Sequence, residues 1–168
     1  MVIRRATPGD AVGLAEAHIA TWQHAYRDIF PDEFLDGLDM AGRVAWFQTS
    51  IDQGSVIFVA EGHQRPVIGF CSVGPARANE GWGEVYSIYV HPDGWGQGHG
   101  HALLRAGEEA LADLGHHAAL LWVLEQNRRA RDFYQRQGWA LGSRIALEEI
   151  GGVSVTEVVY EKTALIGG

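Results

Sequence analysis

A single cysteine, Cys71, occurs in the 168 residues, so no internal disulfide can brace this chain. Within VIGFCSV it reads as a small buried strand residue rather than a nucleophile. Basic residues are scarce as well. Lys and Arg number 13 against 21 Asp and Glu, a net charge of -8, which argues against sequence-independent nucleic-acid binding, because that rests on neutralising phosphates. A cationic small acceptor would be attracted instead. No run of about 18 apolar residues occurs, and the opening MVIRRATPGD lacks the apolar core of a signal peptide, so a cytoplasmic protein without a membrane partner is expected. An HExxH pattern is missing. His91, His99, His101, His116 and His117 fall close together, yet His99 and His101 sit in a glycine-rich loop where metal ligation would compete with anion binding, so no metal is expected. Internal repeats and low-complexity linkers are absent too. With 46% hydrophobic content, the chain is large enough for one core and reads as one domain, 1–168.

What is present is concentrated in residues 84–104, EVYSIYVHPDGWGQGHGHALL. Residues 85–90 are rich in β-branched and aromatic side chains, which suit a pleated, mostly buried surface. His91 and Pro92 end that run. Gly96, Gly98 and Gly100 then leave the backbone free to bend and bare enough for a ligand to approach its N–H groups. A helix over 98–114 follows, with Leu103, Gly107, Ala110, Leu111 and Leu114 on its apolar face and Arg105, Glu108, Glu109 and Asp113 turned elsewhere. Strand, glycine loop and helix together make an anion site. The first N–H groups of a helix lack internal partners and carry the positive end of its dipole, so a phosphate group is the natural guest. A nucleotide P-loop would need Gly-Lys-Ser or Gly-Lys-Thr, but His101 and Ala102 follow Gly100. The dinucleotide fingerprint is GxGxxG near the start of a βαβ unit, whereas this loop is GxGxG in mid-chain.

The stretch closely resembles motif A of the GNAT family of acetyl-coenzyme A dependent N-acetyltransferases. There a strand ends in Tyr-Val-x-Pro and is followed by Arg or Gln, two residues, Gly, one residue, and Gly or Ala. The matching positions are Tyr89, Val90, Pro92, Trp95, Gly98 and Gly100, with Trp95 in place of the Arg or Gln. A second family motif, N-x-x-A-x-x-F-Y-x-x-x-G-W, is matched by Asn127, Ala130, Phe133, Tyr134, Gly138 and Trp139.

The rest of the chain falls into the matching order. Residues 2–5 predict a strand, and 10–23 a helix with Val12, Ala15, Ile19 and Trp22 buried. Residues 21–38 resemble the family segment that lines the acceptor pocket, which makes Trp22, His24, Tyr26 and Phe30 candidate substrate-binding residues, with Phe34 alongside; a plain core role is the competing reading for each. A helix over 40–53 turns Val44, Phe47 and Ile51 inward. Residues 55–61 and 66–75 predict a hairpin. Residues 118–124 read as a strand buried on both faces and parallel to the central strand. Asn127 caps a helix ending at Gly138, and 139–147 with 153–163 form a last hairpin around Gly151 and Gly152. The resemblance therefore implies an α/β (α+β) fold: a mixed, mostly antiparallel seven-stranded sheet flanked by helices, with a splayed parallel pair at its centre.

It also implies acetyl-coenzyme A as cosubstrate, gripped mainly by backbone N–H groups. The expected cofactor-binding residues are Ile88, Tyr89, Val90, Trp95, Gly96, Gln97, Gly98, His99, Gly100, His101, Asn127 and Arg131. The acceptor is a primary amine of a small molecule or a protein amino terminus. A protonated amine cannot attack a thioester, and its pKa is about 10.4, so a base is required. Glu84 is the first candidate, with Glu80, His24 and Tyr26 in reserve; a plain ion-paired carboxylate is the competing reading. A backbone N–H near Val90 would stabilise negative charge on the carbonyl oxygen. The motif match assigns Tyr134 to protonate the leaving thiolate. The alternative to an enzyme is a non-catalytic coenzyme A sensor or partner module with the same fold. The resemblance leaves a homodimer open, since members of the family often pair.

Overall fold

The computed structural model describes residues 1–165; the last three residues of the expected 1–168 domain lie outside them. The chain opens with β1 (Val2–Arg5) and a 3-10 turn, Pro8–Asp10. Three helices follow, α1 (Ala11–Ala25), α2 (Asp32–Asp36) and α3 (Met40–Asp52), and then β2 (Val56–Glu61), β3 (Gly69–Pro75) and β4 (Gly83–Val90). The second half runs α4 (His99–Asp113), β5 (Ala119–Leu124), α5 (Arg128–Arg136), β6 (Ala140–Ile150) and β7 (Val153–Lys162). One seven-stranded sheet results, in the order β1-β2-β3-β4-β5-β7-β6. Every neighbouring pair is antiparallel except β4 and β5, which α4 joins as a crossover. The expected fold class is the observed one.

Two features of β4 shape everything near it. It pairs with β5 only through Gly83 with Ala119 and Glu84 with Leu120, after which the parallel strands part. Against β3, the register steps from Ser72 opposite Ser87 to Val73 opposite Val85, which leaves Tyr86 as the extra residue of a bulge. A strict two-residue alternation would send Val85 and Ile88 to opposite faces. The bulge absorbs one residue, and both pack into the same core.

That core lies on the α4 and α5 face of the sheet and includes Cys71, Val73, Leu103, Leu111, Leu121, Tyr134, Trp139 and Tyr160. A second cluster, with Leu14, Phe47, Ile57, Val59 and Phe70, lies under α1 and α3. A smaller third one gathers Tyr26, Phe30, Leu35, Leu124 and Val155. Each fully buried Leu or Phe contributes about 1.5–3 kcal/mol relative to exposure.

Three expected orientations are corrected. Val12 is 54% exposed, and α1 instead buries Ala11, Leu14, Ala15, Ala17 and Ile19, because it meets the sheet on one side and α3 on the other and small residues let both approach. Leu114 is 55% exposed; it is the C-cap, beyond the last turn that packs on the sheet. Glu108 is buried rather than turned to solvent. It accepts hydrogen bonds from Trp139 Nε1 and Lys162 Nζ, each at 2.8 Å, so an aromatic N–H and an opposite charge compensate its lost hydration.

Candidate active site

Where β4 and β5 part, a cavity of about 470 Å³ opens. Its walls come from the end of α1, the bulged half of β4, the loop before α4, the first turn of α4, the outer half of β5, α5, and single residues of β6 and β7.

The loop end is built from backbone. Gly96 and Gly98 have φ of 76° and 84°, a left-handed conformation that a side chain would strain. Gly98 is the N-cap of α4, so the amides of the first helical turn, His99 to His101, point forward without intrahelical acceptors. Gly96, Gly98, His99, Gly100 and His101 all line the cavity. His99 Nδ1 is buried there with no hydrogen-bond partner among the described residues, and burial lowers its pKa, keeping the ring neutral. Bare amides at a helix N-terminus, an orphaned polar atom and a side wall without bulk at Gly96 fit a diphosphate.

The middle of the cavity is the free edge of β4. His91 N–H donates to Ile68 O at 2.8 Å. By the alternation of an antiparallel ladder, Tyr89 also turns its backbone groups toward β3, while Ile88 and Val90 turn theirs toward the parted side. Of the three strand residues expected to meet the cofactor through backbone, Ile88 and Val90 turn that backbone toward the cavity and Tyr89 does not. Val90 O is already engaged by Thr21 Oγ1 at 2.9 Å and Trp95 Nε1 at 2.6 Å. Tyr89 reaches the cavity wall as well, with its ring packed near His18 and Phe70.

On the opposite wall, Asn127 caps α5 by accepting from Ala130 N–H at 3.1 Å, and its Nδ2 donates to the Tyr26 hydroxyl at 3.4 Å. One side chain thus performs the capping and still faces the cavity. Tyr134, about two turns further along the same side of α5, is buried and lines the same space. Burial, with the Tyr26 and Tyr89 phenols nearby, pushes its pKa well above the ordinary phenol value, so it is a neutral O–H donor at physiological pH.

Five expected site residues stand elsewhere. Glu84 is 2% exposed and is held by Arg77, whose backbone N–H and Nε reach it at 3.0 and 3.1 Å. It lies in the paired part of β4, before the strands separate, and does not line the cavity. Arg131 donates to Glu125 O at 2.8 Å and Tyr160 Oη at 3.3 Å, away from the cavity. At 100° per residue, Arg129 and Arg136 share the cavity face of α5 and Arg131 is turned about 200° from Arg129. Gln97 is exposed and ties the loop by donating to Asp93 O at 2.8 Å. His24 packs edge-on against the Trp95 ring, 4.8 Å between centroids, behind the lining. Phe30 is core, stacked on Trp22 and edge-on to Tyr26. Trp22 and Tyr26 do line the cavity, as does Trp95.

The carboxylate that the cavity does contain is Glu157 of β7. Desolvation, then the Glu148 carboxylate, raises its pKa above the usual range; Arg77 opposes this and Glu84 adds to it. The sequence carried a signal for it, an acidic residue in the middle of the β-branched run VSVTEVVY, where a charge needs a reason to be half-buried. Trp122, Leu124 and Ile150 complete that end of the cavity with apolar surface. No group of three or more His, Cys, Asp or Glu that could hold a metal ion occurs among the described residues, and no helix there is long and apolar enough to cross a membrane.

Comparison with known proteins bears on this arrangement. Residues 12–139 match the model of the Acetyltransferase (GNAT) family. The uncharacterized N-acetyltransferase YuaI of Bacillus subtilis is 34% identical over 162 residues, 94% of this chain and 90% of that one. The L-amino acid N-acyltransferase MnaT of Escherichia coli is 29% identical over 149 residues, 86% of this chain and 83% of that one. Among solved structures, yncA of Salmonella typhimurium, determined with its cofactor acetyl-CoA, superposes with a TM-score of 0.74 at 24% identity, covering 100% of this chain and 95% of that chain.

Proposed function

The chain belongs to the GNAT acetyltransferase family and is an N-acetyltransferase, and from that premise we propose that it transfers the acetyl group of acetyl-coenzyme A to a primary amine by direct attack in a ternary complex. The carrying observation is the cavity between the parted strands, with bare amides at one end and a phenol and a carboxylate further along.

Bound acetyl-coenzyme A supplies an acetyl thioester, an acyl group joined to a thiolate that can leave. The first-turn amides of α4 hold the diphosphate, with the helix dipole adding to the attraction. Ile88 and Val90 present N–H groups to the pantetheine arm, and the Val90 N–H is placed to donate to the carbonyl oxygen as it gains charge. Glu157 accepts the proton of the amine. Its raised pKa narrows the gap to an ammonium of about 10.4 and makes it a better base than an ordinary carboxylate. Tyr134 gives its proton to the sulfur as the C–S bond breaks, so the proton taken from nitrogen and the one given to sulfur balance.

The acceptor end pairs one carboxylate with Trp22, Trp122 and Ile150, a wall suited to a cationic amine with an apolar body. Small molecules, including amino acids such as those for which the Escherichia coli relative is named, and peptide amino termini fall in that class. The test is release of free coenzyme A thiol across a panel of amines, with mass detection of the acetylated product. Turnover with at least one amine supports the proposal, and tight coenzyme A binding with no release from any amine contradicts it.

A further inference from the structure

Arg129 is a guanidinium that lines the cavity without an anionic partner among the described residues. Its Cζ lies 3.6 Å from the centre of the Trp95 ring, and no carboxylate or carbonyl among the described residues bonds to it. Burial alone lowers its pKa, with no neighbouring charge to offset the lost hydration. Arg129 is exposed on its outer side, so the guanidinium is open to an anion that enters the cavity and can form charge-assisted hydrogen bonds with it.

Trp95 in turn is fixed from two sides. Its indole N–H donates to Val90 O at 2.6 Å, and the His24 ring meets it edge-on at 4.8 Å. The ring is therefore a platform standing at the motif position that carries Arg or Gln in the family, immediately before the amides of Gly96 to His99. Arginine binds phosphate through a planar fork and stacks on aromatic faces, two properties that can act together here. We propose that Arg129, held in place by Trp95, contacts the diphosphate of coenzyme A from α5, with position 95 supplying the platform rather than the phosphate ligand. Trp95 is then a positioning residue. The inference rests on the acetyl-coenzyme A reading above.

Calorimetric titration of the whole protein tests it. Arg129→Met is expected to weaken coenzyme A binding by about 10- to 100-fold, the range for a hydrogen bond to a charged group, with a shallower dependence on salt and an unchanged melting temperature. Dephospho-coenzyme A, which keeps the diphosphate but lacks the 3′-phosphate, should suffer the same loss. Trp95→Leu should weaken binding in the native background and add little in the Arg129→Met background, because the two act as one unit. Binding by Arg129→Met within about twofold of the native protein would overturn the proposal. So would a loss confined to coenzyme A and absent with dephospho-coenzyme A, or losses from the two substitutions that simply add. If the unaltered protein binds neither ligand, the acetyl-coenzyme A reading itself fails and takes this inference with it.

Discussion

The Glu84 carboxylate accepts hydrogen bonds from both the backbone N–H and the Nε of Arg77, at 3.0 and 3.1 Å, and is buried while Arg77 remains 71% exposed. This pair pins the connection after β3 to the start of β4. Because Glu84 lies before the strands part, it holds the frame of the cavity rather than its interior. Glu84→Gln is expected to cost about 1–3 kcal/mol of stability, less than for a fully buried pair because Arg77 stays hydrated. Turnover should stay within about threefold of the native value. Urea unfolding and steady-state kinetics on one preparation check both; a loss of about 100-fold in turnover with unchanged stability would restore Glu84 as the base.

Glu157→Gln should lower turnover by about 10²- to 10⁴-fold, the usual contribution of a general base. In the unaltered enzyme the acid limb of the rate profile should fall above the ordinary carboxylate range, since burial and Glu148 raise the Glu157 pKa. Activity is present above that pKa, where the carboxylate is free to accept a proton, and is lost as pH falls through it. Glu148→Gln should move the limb toward lower pH. A limb that does not move, or a Glu157→Gln variant with native turnover, removes Glu157 from the role.

Tyr134→Phe deletes one buried hydroxyl and leaves the ring in its packing. Turnover is expected to drop by about 10²-fold while the dissociation constant for coenzyme A changes by less than about threefold. A large loss of binding with modest loss of turnover would assign Tyr134 to cofactor packing instead.

Stability in acid has a separate origin. His18 is packed among Trp22, Phe47, Phe70 and Tyr89, and burial, with Arg43 nearby, lowers its pKa from 6.5 to about 3. The unfolded chain binds a proton at higher pH than the folded one. The contribution is therefore complete above about pH 6.5 and is lost as pH falls toward 3. His18→Phe should lose about 2 kcal/mol less than the native protein between pH 7 and about pH 4.5, measured by urea unfolding at the two values. Equal losses would show that other groups control the acid limb.

Much of this could be read from the chain alone. The β-branched run into Pro92 and the glycine loop mark a strand, a bend and a helix start in that order, because local pattern and backbone chemistry dictate them, and the resemblance of the Asn127 to Trp139 stretch to a family motif points to the helix that carries Tyr134. Arg131 and Glu84 were misplaced for a different reason. Which arginine of α5 meets the cavity depends on the phase of a nine-residue helix against the sheet, and whether Glu84 is free depends on Arg77 folding back across a turn. Glu157 comes from a strand far along the chain and reaches the site only because β7 lies beside β5. Sequence spacing carries no record of that neighbour.

The most direct measurement is a calorimetric titration of coenzyme A into the purified protein. The expected result is saturable binding at a single site, weakened as salt rises because the diphosphate is held electrostatically. Absence of any heat or displacement across the accessible concentration range would contradict the cavity between β4 and β5 as an acetyl-coenzyme A site.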